Sequence, residues 1–391
     1  MRVKLKDVCT FYTGTGFPKK YQGQLSGTYP FYKVGDIANN VVSGKVYLEQ
    51  CNNYISEETL ELIKGSIIPK NTIVFAKIGE ALKLNRRAIT STDCLIDNNA
   101  MGIAAKSDKL RTLFFYYFMR NIKMELLAES TTVPSVRKSR LEAYEIDIPS
   151  LDEQKIIEGK LTILSKVINL KEKQLLKLDE LVKARFVEMF GDPVLNDKSW
   201  QVIKLGELCS KICSGNTPKG GSDNYKKEGI MFFRSQNVWK NRLELDDIVY
   251  IDEATHERMK ETSLNYGDIL ITKTGRINTE NSSLGRSALF LGKNGSANIN
   301  GHVYLVRINS ELVNRNFVLQ ILISPQYRDL IRRVCVGGID KRQLNQNHIY
   351  DFPIIVPPLE LQNQFASFVE EIDKSRLLSN HSLFLIKSII F

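Results

Sequence analysis

The stretch Ile148-Pro-Ser-Leu-Asp-Glu-Gln154 stands directly before a long run of helical pattern, and a near-copy, Val356-Pro-Pro-Leu-Glu-Leu-Gln362, stands before a second one. In the first copy Ser150 and Glu153 form an S-x-x-E pair, in which the serine caps a helix and the glutamate binds back to the serine. The sequence Gly191-Asp-Pro193 favours the end of that helix. The pattern therefore predicts one continuous helix between these signals, about 58 Å long at 1.5 Å per residue.

Apolar residues recur along this predicted helix in alternating steps of four and three. This spacing is typical of a coiled-coil seam, where one helix packs against another. Two polar residues, Lys171 and Arg185, interrupt the seam. Its apolar members are Ile157, Leu161, Leu164, Ile168, Leu175, Leu178, Val182 and Met189.

The second helix is expected to differ from the first. Pro358 and Leu361 replace the capping serine and glutamate, so the capping box is lost. The apolar pattern begins regularly at Leu361, Phe365, Phe368 and Ile372, meets Ser375, and is then predicted to shift to Leu378, Leu385 and Ile389. An exposed apolar helix end favours packing against the first helix or a partner subunit. Alternatively, a long helix can simply fill an interface between domains.

The repetition extends along the whole chain, which indicates a duplicated unit. Short apolar runs bounded by Gly, Asn and Asp predict strands within each copy. The matched segments are Val3–Val8 with Ile203–Leu208, Tyr29–Ile37 with Gly229–Val238, Thr72–Gly79 with Asp268–Gly275, and Leu84–Ile89 with Leu284–Leu289.

These patterns predict an α+β fold in which two similar β-rich domains are joined by two long helices. Since each helix leaves the same point of a repeated unit, we expect an antiparallel coiled coil and a pseudo-two-fold arrangement. The predicted boundaries are 1–150 for the first domain, 151–191 for the central helix, 192–357 for the second domain and 358–391 for the distal helix.

The net charge of +10 is concentrated in the two predicted domains. Residues 1–150 contain 21 Lys and Arg against 15 Asp and Glu, and residues 200–358 contain 21 against 16. Because Lys and Arg bind phosphates, two basic domains indicate a polyanionic partner that is contacted twice. The alternative is a basic surface that only maintains solubility.

Other classes of protein receive little support from the sequence. No apolar run approaches the roughly 18 to 20 residues that span a bilayer, and the first residues lack a cleavable signal, so we expect a cytoplasmic protein. Cys209 and Cys213 form a C-x3-C pair without a second pair or nearby histidines, so no metal site is expected. No GxxxxGK[ST] phosphate loop is present and the four histidines are scattered, so no catalytic residues are predicted.

The order of these segments resembles the DNA-specificity subunit of type I restriction-modification systems. The resemblance covers essentially the whole chain and depends on IPSLDEQKI at residues 148–156, RFVEMFGDP at 185–193 and SGNTPKGG at 214–221. It implies that each domain is a target-recognition domain reading one half of a bipartite site in double-stranded DNA. It also implies that the helices set the half-site spacing and dock two methyltransferase subunits, with motor or nuclease subunits as further partners. This chain would then be non-catalytic and bind no cofactor, while S-adenosylmethionine and ATP would belong to partner subunits.

Polar loops are the predicted DNA contacts, because Arg, Lys, Asn, Gln, Ser and Thr read base edges. The loops differ between copies, for example PSVRKSR at residues 134–140 against GGIDKRQ at 337–343, so we expect an asymmetric target. For any single residue the alternative is a solvated loop position or a phosphate contact. The candidates are Lys19, Lys20, Lys33, Lys77, Arg86, Arg137 and Lys138 in the first domain, and Thr217, Lys219, Arg234, Gln236, Asn237, Lys273, Thr274, Arg276, Lys341 and Arg342 in the second.

Two other functions stay open at the level of sequence. One is a protein-interaction adaptor that uses its coiled coil for assembly and does not bind DNA. The other is a nuclease or methyltransferase with an unrecognised site.

Overall fold

Each half of the sequence repeat builds a main sheet, a three-stranded sheet and a pair of terminal strands. The computed structural model describes residues 1–129, 133–277 and 281–390. Contacts divide the chain into a first unit, Met1–Lys173 with the helix residues from His381 onward, and a second unit, Gln174–Asn380.

The first unit is a mixed α+β structure. Its strands are β1 (Arg2–Lys4), β2 (Cys9–Thr13), β3 (Tyr29–Tyr32), β4 (Tyr47–Leu48), β5 (Tyr54–Ile55), β6 (Thr72–Ala76), β7 (Arg87–Thr90), β8 (Leu95–Ile96), β9 (Ala100–Ala105) and β10 (Glu145–Asp147). Its short helices are α1 (Leu5–Val8), α2 (Val34–Val42), α3 (Glu57–Leu62), α4 (Glu80–Lys83), α5 (Thr112–Asn121) and α6 (Lys138–Glu142), and they precede the long helix α7 (Leu151–Phe190).

The main sheet of the first unit has the strand order β2-β9-β6-β7-β4, and a smaller sheet has the order β5-β3-β8. The central strand β6 is buried along its whole length, because both faces of the sheet are covered. Ile73 and Phe75 pack into the core that includes α5, while Val74 faces a second core containing Ile37 and Leu48. This two-sided burial explains why TIVFA is a continuous apolar run rather than an alternating one.

The second unit repeats this plan. Its strands are β11 (Gln201–Lys204), β12 (Cys209–Ser214), β13 (Ile230–Phe233), β14 (Val238–Trp239), β15 (Arg242–Leu243), β16 (Val249–Ile251), β17 (Ile269–Thr272), β18 (Thr274–Arg276), β19 (Ser287–Leu289), β20 (Ala297–Ile299), β21 (Val303–Ile308), β22 (Val336–Gly337), β23 (Lys341–Gln343) and β24 (Pro353–Val356). Its helices are α8 (Glu253–Arg258), α9 (Arg315–Ile323), α10 (Pro325–Val334), α11 (Gln346–Tyr350) and the long helix α12 (Leu359–Ile390).

The sheets of the second unit correspond to those of the first. The main sheet has the order β12-β21-β17-β19 and the smaller sheet β16-β13-β20. Strand β17 is again buried on both faces, with Ile269 and Ile271 in one core and Leu270 in another. The duplication predicted from the sequence is therefore confirmed for the main and smaller sheets. The second unit differs in its additional sheets, β14-β15 and β18-β23-β22, and in a main sheet of four strands rather than five.

Both units are closed by a pair of terminal strands. Val3 of β1 pairs with Ile146 of β10, and Ile203 of β11 pairs with Ile354 of β24. In each unit the second of these strands leads directly into a long helix, which is why the Pro-containing motif follows the last strand of each repeat.

Helix α7 begins and ends as the sequence predicts. The Ser150 backbone N–H donates to Glu153 Oε2 at 2.9 Å, and the Glu153 N–H donates to Ser150 Oγ at 3.4 Å, so the predicted capping box is present. At the other end Gly191 has a φ of +75° and donates its N–H to the Val187 carbonyl at 2.8 Å. A β-carbon at Gly191 would lie 2.1 Å from Asp197 Oδ1, so only glycine fits this helix end.

The apolar residues of the predicted α7 seam are all buried or half-buried. In the second unit, however, the most buried row follows steps of four through Val182, Phe186 and Phe190, and the seam pattern did not include the two phenylalanines. Arg185 lies beside this row and pairs with Glu188 at 2.8 Å. The helix therefore inserts aromatic rings into the core of the second unit rather than presenting only a coiled-coil seam.

Helix α12 runs antiparallel to α7. Within the second unit Asp179 pairs with Arg376 at 2.6 Å, while Phe186, further along α7, meets Phe365, which lies earlier in α12. Within the first unit Glu172 pairs with Lys387 at 2.8 Å.

The predicted shift of the distal seam is wrong. Leu378 is 74% exposed and Leu385 is 48% exposed, whereas Ser379 and Leu383 are buried. The buried face instead continues through Arg376, Ser379 and Leu383, and the sequence pattern did not include these positions because the first two are polar. The side chain of Ile389 lies outside the described residues.

Candidate nucleic-acid interface

The first group of predicted contacts surrounds the turn before β3 and the start of α2. Lys33 precedes α2, and its backbone N–H donates to Asp36 Oδ2 at 2.8 Å. The Lys33 ammonium donates to Gln22 Oε1 and lies 5.8 Å from the Phe17 ring centroid. Lys19 and Lys20, both exposed, belong to the same turn, so the structure brings these three lysines together.

The second group of the first unit lies around the ends of the main-sheet strands. Lys77 follows β6 and Arg86 precedes β7, its antiparallel neighbour. The Lys77 carbonyl accepts a hydrogen bond from Val136, the residue before Arg137. Arg137 pairs with Glu129 at 2.9 Å and Lys138 pairs with Glu142 at 3.5 Å, so both cations already have carboxylate partners on the surface.

In the second unit a carboxylate organises three of the predicted contacts. Asp247 accepts hydrogen bonds from Gln236 Nε2 at 3.1 Å and from Asn237 Nδ2 at 2.7 Å, and Arg234 Nη2 lies 3.1 Å from the same carboxylate. The Gln236 hydrogen bond and the Arg234 charge hold the pKa of Asp247 below its usual range.

Asn237 differs from its neighbours because it is completely buried. Its amide nitrogen also donates to the Glu244 carbonyl, and its Oδ1 accepts from the Arg234 backbone at 3.0 Å. The side chain is thus occupied in holding the loop, and its burial leaves it unavailable as a direct contact.

The remaining contacts of the second unit meet around β18 and β23. Arg276 pairs with Lys341 in the ladder, Gly275 with Arg342, and Thr274 with Gln343. Lys273, just before β18, donates to Ser214 Oγ at 3.0 Å and to the Gly301 carbonyl at 3.2 Å. Burial lowers the pKa of this lysine. Thr217 and Lys219 are exposed on the loop that follows Ser214.

The hydrogen bonds around the two lysines correct one detail of the repeat. Val136 donates its N–H to the Lys77 carbonyl at 2.9 Å, and Leu344 donates its N–H to the Lys273 carbonyl at 2.8 Å. Residues 134–140 therefore correspond to 342–348, and the pairing of PSVRKSR with GGIDKRQ is wrong. Because that loop is longer in the second unit, the sequences alone aligned at a displaced position.

Sequence reasoning missed a cleft of about 320 Å³ in the second unit, lined by Ser235, Gln236, Arg276, Ser283 and Arg286 among others. Two of these, Gln236 and Arg276, were predicted contacts, and the cleft joins them to Arg286. The available signal was the repeat itself: Arg286 corresponds to Arg86, which the sequence had selected in the first unit.

The described part of the chain contains neither a metal-binding cluster nor a membrane-spanning helix. Within residues 1–129, 133–277 and 281–390, no group of three or more His, Cys, Asp or Glu side chains is placed to hold a metal ion. In that same part of the chain, none of the helices combines the length and the apolar character that a membrane span requires.

A duplicated α+β unit with basic and amide side chains on its loops, combined with two long helices, defines a class of two-domain recognition protein. The sequence profile of the type I restriction modification DNA specificity domain matches the chain twice, over residues 1–180 and 197–386. The chain belongs to this family. It is a DNA sequence-recognition subunit, which is a non-catalytic part of a restriction-modification complex.

Relatives and solved structures agree with this membership. The MjaIX specificity subunit of Methanocaldococcus jannaschii is 22% identical over 99% of this chain and 89% of its own length. The StySPI specificity subunit of Salmonella potsdam is 25% identical over 65% of this chain and 56% of its own length. The S subunit from M. genitalium has the same fold, with a TM-score of 0.57 and 14% identity over all of this chain and 93% of that one. A chain from a study of complex assembly and conformational transition in the type I system has a TM-score of 0.56 and 17% identity, over all of this chain and 95% of that one.

Proposed function

We propose that the two units read two different half-sites of one asymmetric, bipartite sequence in double-stranded DNA. Support comes from matched backbone positions that carry different side chains. Lys33 directly precedes α2, and Arg234 directly precedes the short 3-10 helix Ser235–Asn237. The two positions correspond, because the backbone N–H of each donates to the side chain of the residue three positions later. Two residues further along each chain segment, Gly35 corresponds to Gln236. Glycine has no side chain with which to contact a base, whereas glutamine can donate to and accept from a base edge, so the two units present different groups at this position.

A second pair of positions supports different half-sites in the same way. The Lys77 N–H donates to the Asn99 carbonyl, and the Lys273 N–H donates to the His302 carbonyl, both at 2.9 Å. One scaffold therefore holds an asparagine beside one lysine and a histidine beside the other. Paired reading modules on a duplex recognise half-sites whose spacing is set by the protein, as dimeric readers do about one helical turn apart. The long helices would fix that spacing.

We further propose that α7 docks methyltransferase subunits, two in the complete assembly. Ile156, Ile163 and Leu170 lie seven residues apart, hence on one face of the helix, and are 58%, 64% and 66% exposed. Apolar side chains in such a row favour a protein partner. In this proposal S-adenosylmethionine and ATP bind to the partner subunits and this chain supplies no residue to either.

The experiment that tests the reading function is a map of methylated sites in the native genome, with and without this chain. The expected result is loss of one bipartite, asymmetric methylation pattern. The purified complex should also lose affinity for that site steeply with added salt, because phosphate contacts release counterions. An unchanged methylation map would contradict the proposal, and affinity that is insensitive to salt would favour the adaptor alternative.

A further inference from the structure

The cleft around Arg286 is bordered by an arginine–tryptophan stack. Strands β14 and β15 form a hairpin, and the Asn241 N–H at its tip donates to the Ser287 carbonyl at 2.9 Å, which fixes the hairpin on the edge of the main sheet. The Arg286 guanidinium lies 3.8 Å from the Trp239 ring centroid, and Arg242 lies 5.5 Å from the same ring.

Among the residues that the structure describes, no carboxylate pairs with Arg286. It is 6% exposed, its Nε donates to the Ser282 carbonyl at 3.1 Å, and its Nη2 donates to the Asn281 carbonyl. These acceptors are neutral, so they orient the guanidinium but do not balance its charge. Burial, with Arg242 nearby, lowers the pKa of Arg286, which means that the cation is held at an energetic cost.

A second buried arginine adds to this charge. Arg328 of α10 is 8% exposed, and its Nη1 has no hydrogen-bond partner among the described residues. Burial, with smaller contributions from the charges of Arg332 and Arg286, lowers the pKa of Arg328 to about 10. The nearby carboxylate, Asp329, already pairs with Arg332 at 2.9 Å. A buried cation that lacks an anion is unfavourable, so this arrangement favours a bound anion.

The other groups around the cleft are suited to a phosphate. None of the described residues that line it is acidic. Ser235 contributes a hydroxyl, and Gln236 contributes an amide that also donates to Asp247 at 3.1 Å. Arg276 contributes a third arginine, which is 3.3 Å from Asp340. Hydroxyl, amide and guanidinium donors around a small opening match the oxygens of a phosphate group.

We propose that this cleft binds one phosphate of the DNA backbone, with Arg286 as the direct contact and Arg328 as the cation behind it. The inference rests on the proposed reading function. It assigns to the second unit alone a phosphate contact that fixes the position of that unit along the DNA. In the first unit Val34 and Gly35 stand where Ser235 and Gln236 stand in the second, so the hydroxyl and amide groups beside the matched arginine are missing there.

The test is a double-mutant cycle between protein and DNA. The complete complex is assembled with Arg286→Gln and titrated with duplexes that carry the mapped target and a neutral methylphosphonate at one phosphate at a time. For wild type, one phosphate in the half-site read by the second unit should give about a tenfold loss of affinity when neutralised. For Arg286→Gln that same substitution should give no further loss, and the salt slope should fall by about 0.9. Arg86→Gln, at the matched position of the first unit, is the control. Its effect on affinity and the effect of neutralising that phosphate should be additive.

Arg328→Met separates a phosphate role from a merely structural one. If the role of Arg328 is structural, its removal should destabilise the protein. If Arg328 is a buried cation without a paired anion, its removal should raise the unfolding temperature of the free chain and weaken DNA binding. If Arg286→Gln and every methylphosphonate act additively, the assignment is wrong. Stabilisation of wild type by inorganic phosphate without such coupling would assign the cleft to a free phosphate and also overturn it. If wild type fails to bind its mapped duplex at all, the reading function itself is contradicted and this inference with it.

Discussion

Gln154 Oε1 accepts a hydrogen bond from the Arg111 backbone N–H at 2.9 Å, and Gln362 Oε1 accepts one from the Asn314 N–H, also at 2.9 Å. Arg111 and Asn314 directly precede α5 and α9, whose first N–H groups have no partner within the helix. Both glutamines are completely buried. The last residue of the repeated motif therefore joins each long helix to the domain helix of its own unit.

The first prediction concerns Gln362→Ala. This change leaves the Asn314 N–H and the Pro357 carbonyl without their partner in a buried site, which should cost about 1–3 kcal/mol of the free energy of unfolding. Both tryptophans of the chain, Trp200 and Trp239, belong to the second unit, so tryptophan fluorescence during urea unfolding follows that unit. The fluorescence midpoint should move to lower urea.

Two control variants sharpen this measurement. Gln154→Ala removes the matching contact of the first unit and should leave the tryptophan transition unchanged, while backbone hydrogen exchange near Arg111 becomes faster. Gln174→Ala, at an exposed position of α7, should change neither. Equal effects of Gln362→Ala and Gln174→Ala would show that the buried glutamine is not what joins helix and domain.

The second prediction concerns the aromatic contact of α7 in the second unit. The Phe186 ring lies 5.6 Å from Phe317 and 5.5 Å from Phe365 between ring centroids. Phe186→Ala should therefore lower the stability of the second unit by about 3–5 kcal/mol, measured by tryptophan fluorescence in urea. Val187→Ala, one position further and 51% exposed, is the control and should have little effect. A loss of stability no larger than that of Val187→Ala would mean that Phe186 of α7 is not part of the core of the second unit.

The third prediction addresses docking on α7. Ile163→Glu places a charge in the exposed apolar row without opening a cavity, so the free chain should keep its unfolding temperature. Binding of methyltransferase subunits should weaken by at least tenfold, as measured by titration calorimetry, because one buried charge at an apolar interface costs more than 1.4 kcal/mol. Gln174→Glu adds the same charge at an exposed polar position and should bind normally. Normal assembly with Ile163→Glu would place the docking surface elsewhere.

The fourth prediction uses the lowered pKa of Lys273. Burial places this pKa below the ordinary 10.5, so Lys273 loses its proton at a lower pH than it would in the unfolded chain. DNA affinity should decline in that alkaline window because a cation is lost from the interface. The free protein should gain stability from this group over the same window, since the unfolded chain binds more protons there.

Lys273→Arg tests this directly, because arginine keeps its charge throughout the window. Fluorescence anisotropy titrations from neutral pH upward should show the decline in wild type and not in the variant. Lys77→Arg, at the matched position of the first unit, is the control and should retain the wild-type profile. Identical profiles for wild type and Lys273→Arg would remove Lys273 from the interface.

Local signals in the sequence correctly predicted where helix α7 begins and ends. Ser150 with Glu153 and the glycine at 191 act on neighbouring backbone, so their outcome did not depend on the rest of the chain. The duplication was also accessible, because strands buried on both faces give recognisable apolar runs in both copies.

Features that depend on distant partners could not be predicted in this way. Gln154 looks like a polar helix residue until Arg111 is placed beside it. Phe186 falls outside the heptad pattern because it packs against Phe317 of the domain core as well as against Phe365 of the other helix. The distal seam was misassigned for the same reason: Arg376 can occupy a half-buried position because Asp179 and Asp373 accept its charge. Among the candidate contacts, the cleft at Arg286 depends on segments far apart in sequence, since it joins Ser235 and Gln236 to Arg276 and Arg286.

The central claim, that each unit reads its own half of the target, is tested most directly by exchanging residues 1–150 for the corresponding domain of another family member and sequencing the methylated sites in cells. The account predicts that one half-site changes to that of the donor, while the other half-site and the length of the gap stay the same. A change in both half-sites, or in neither, would contradict it.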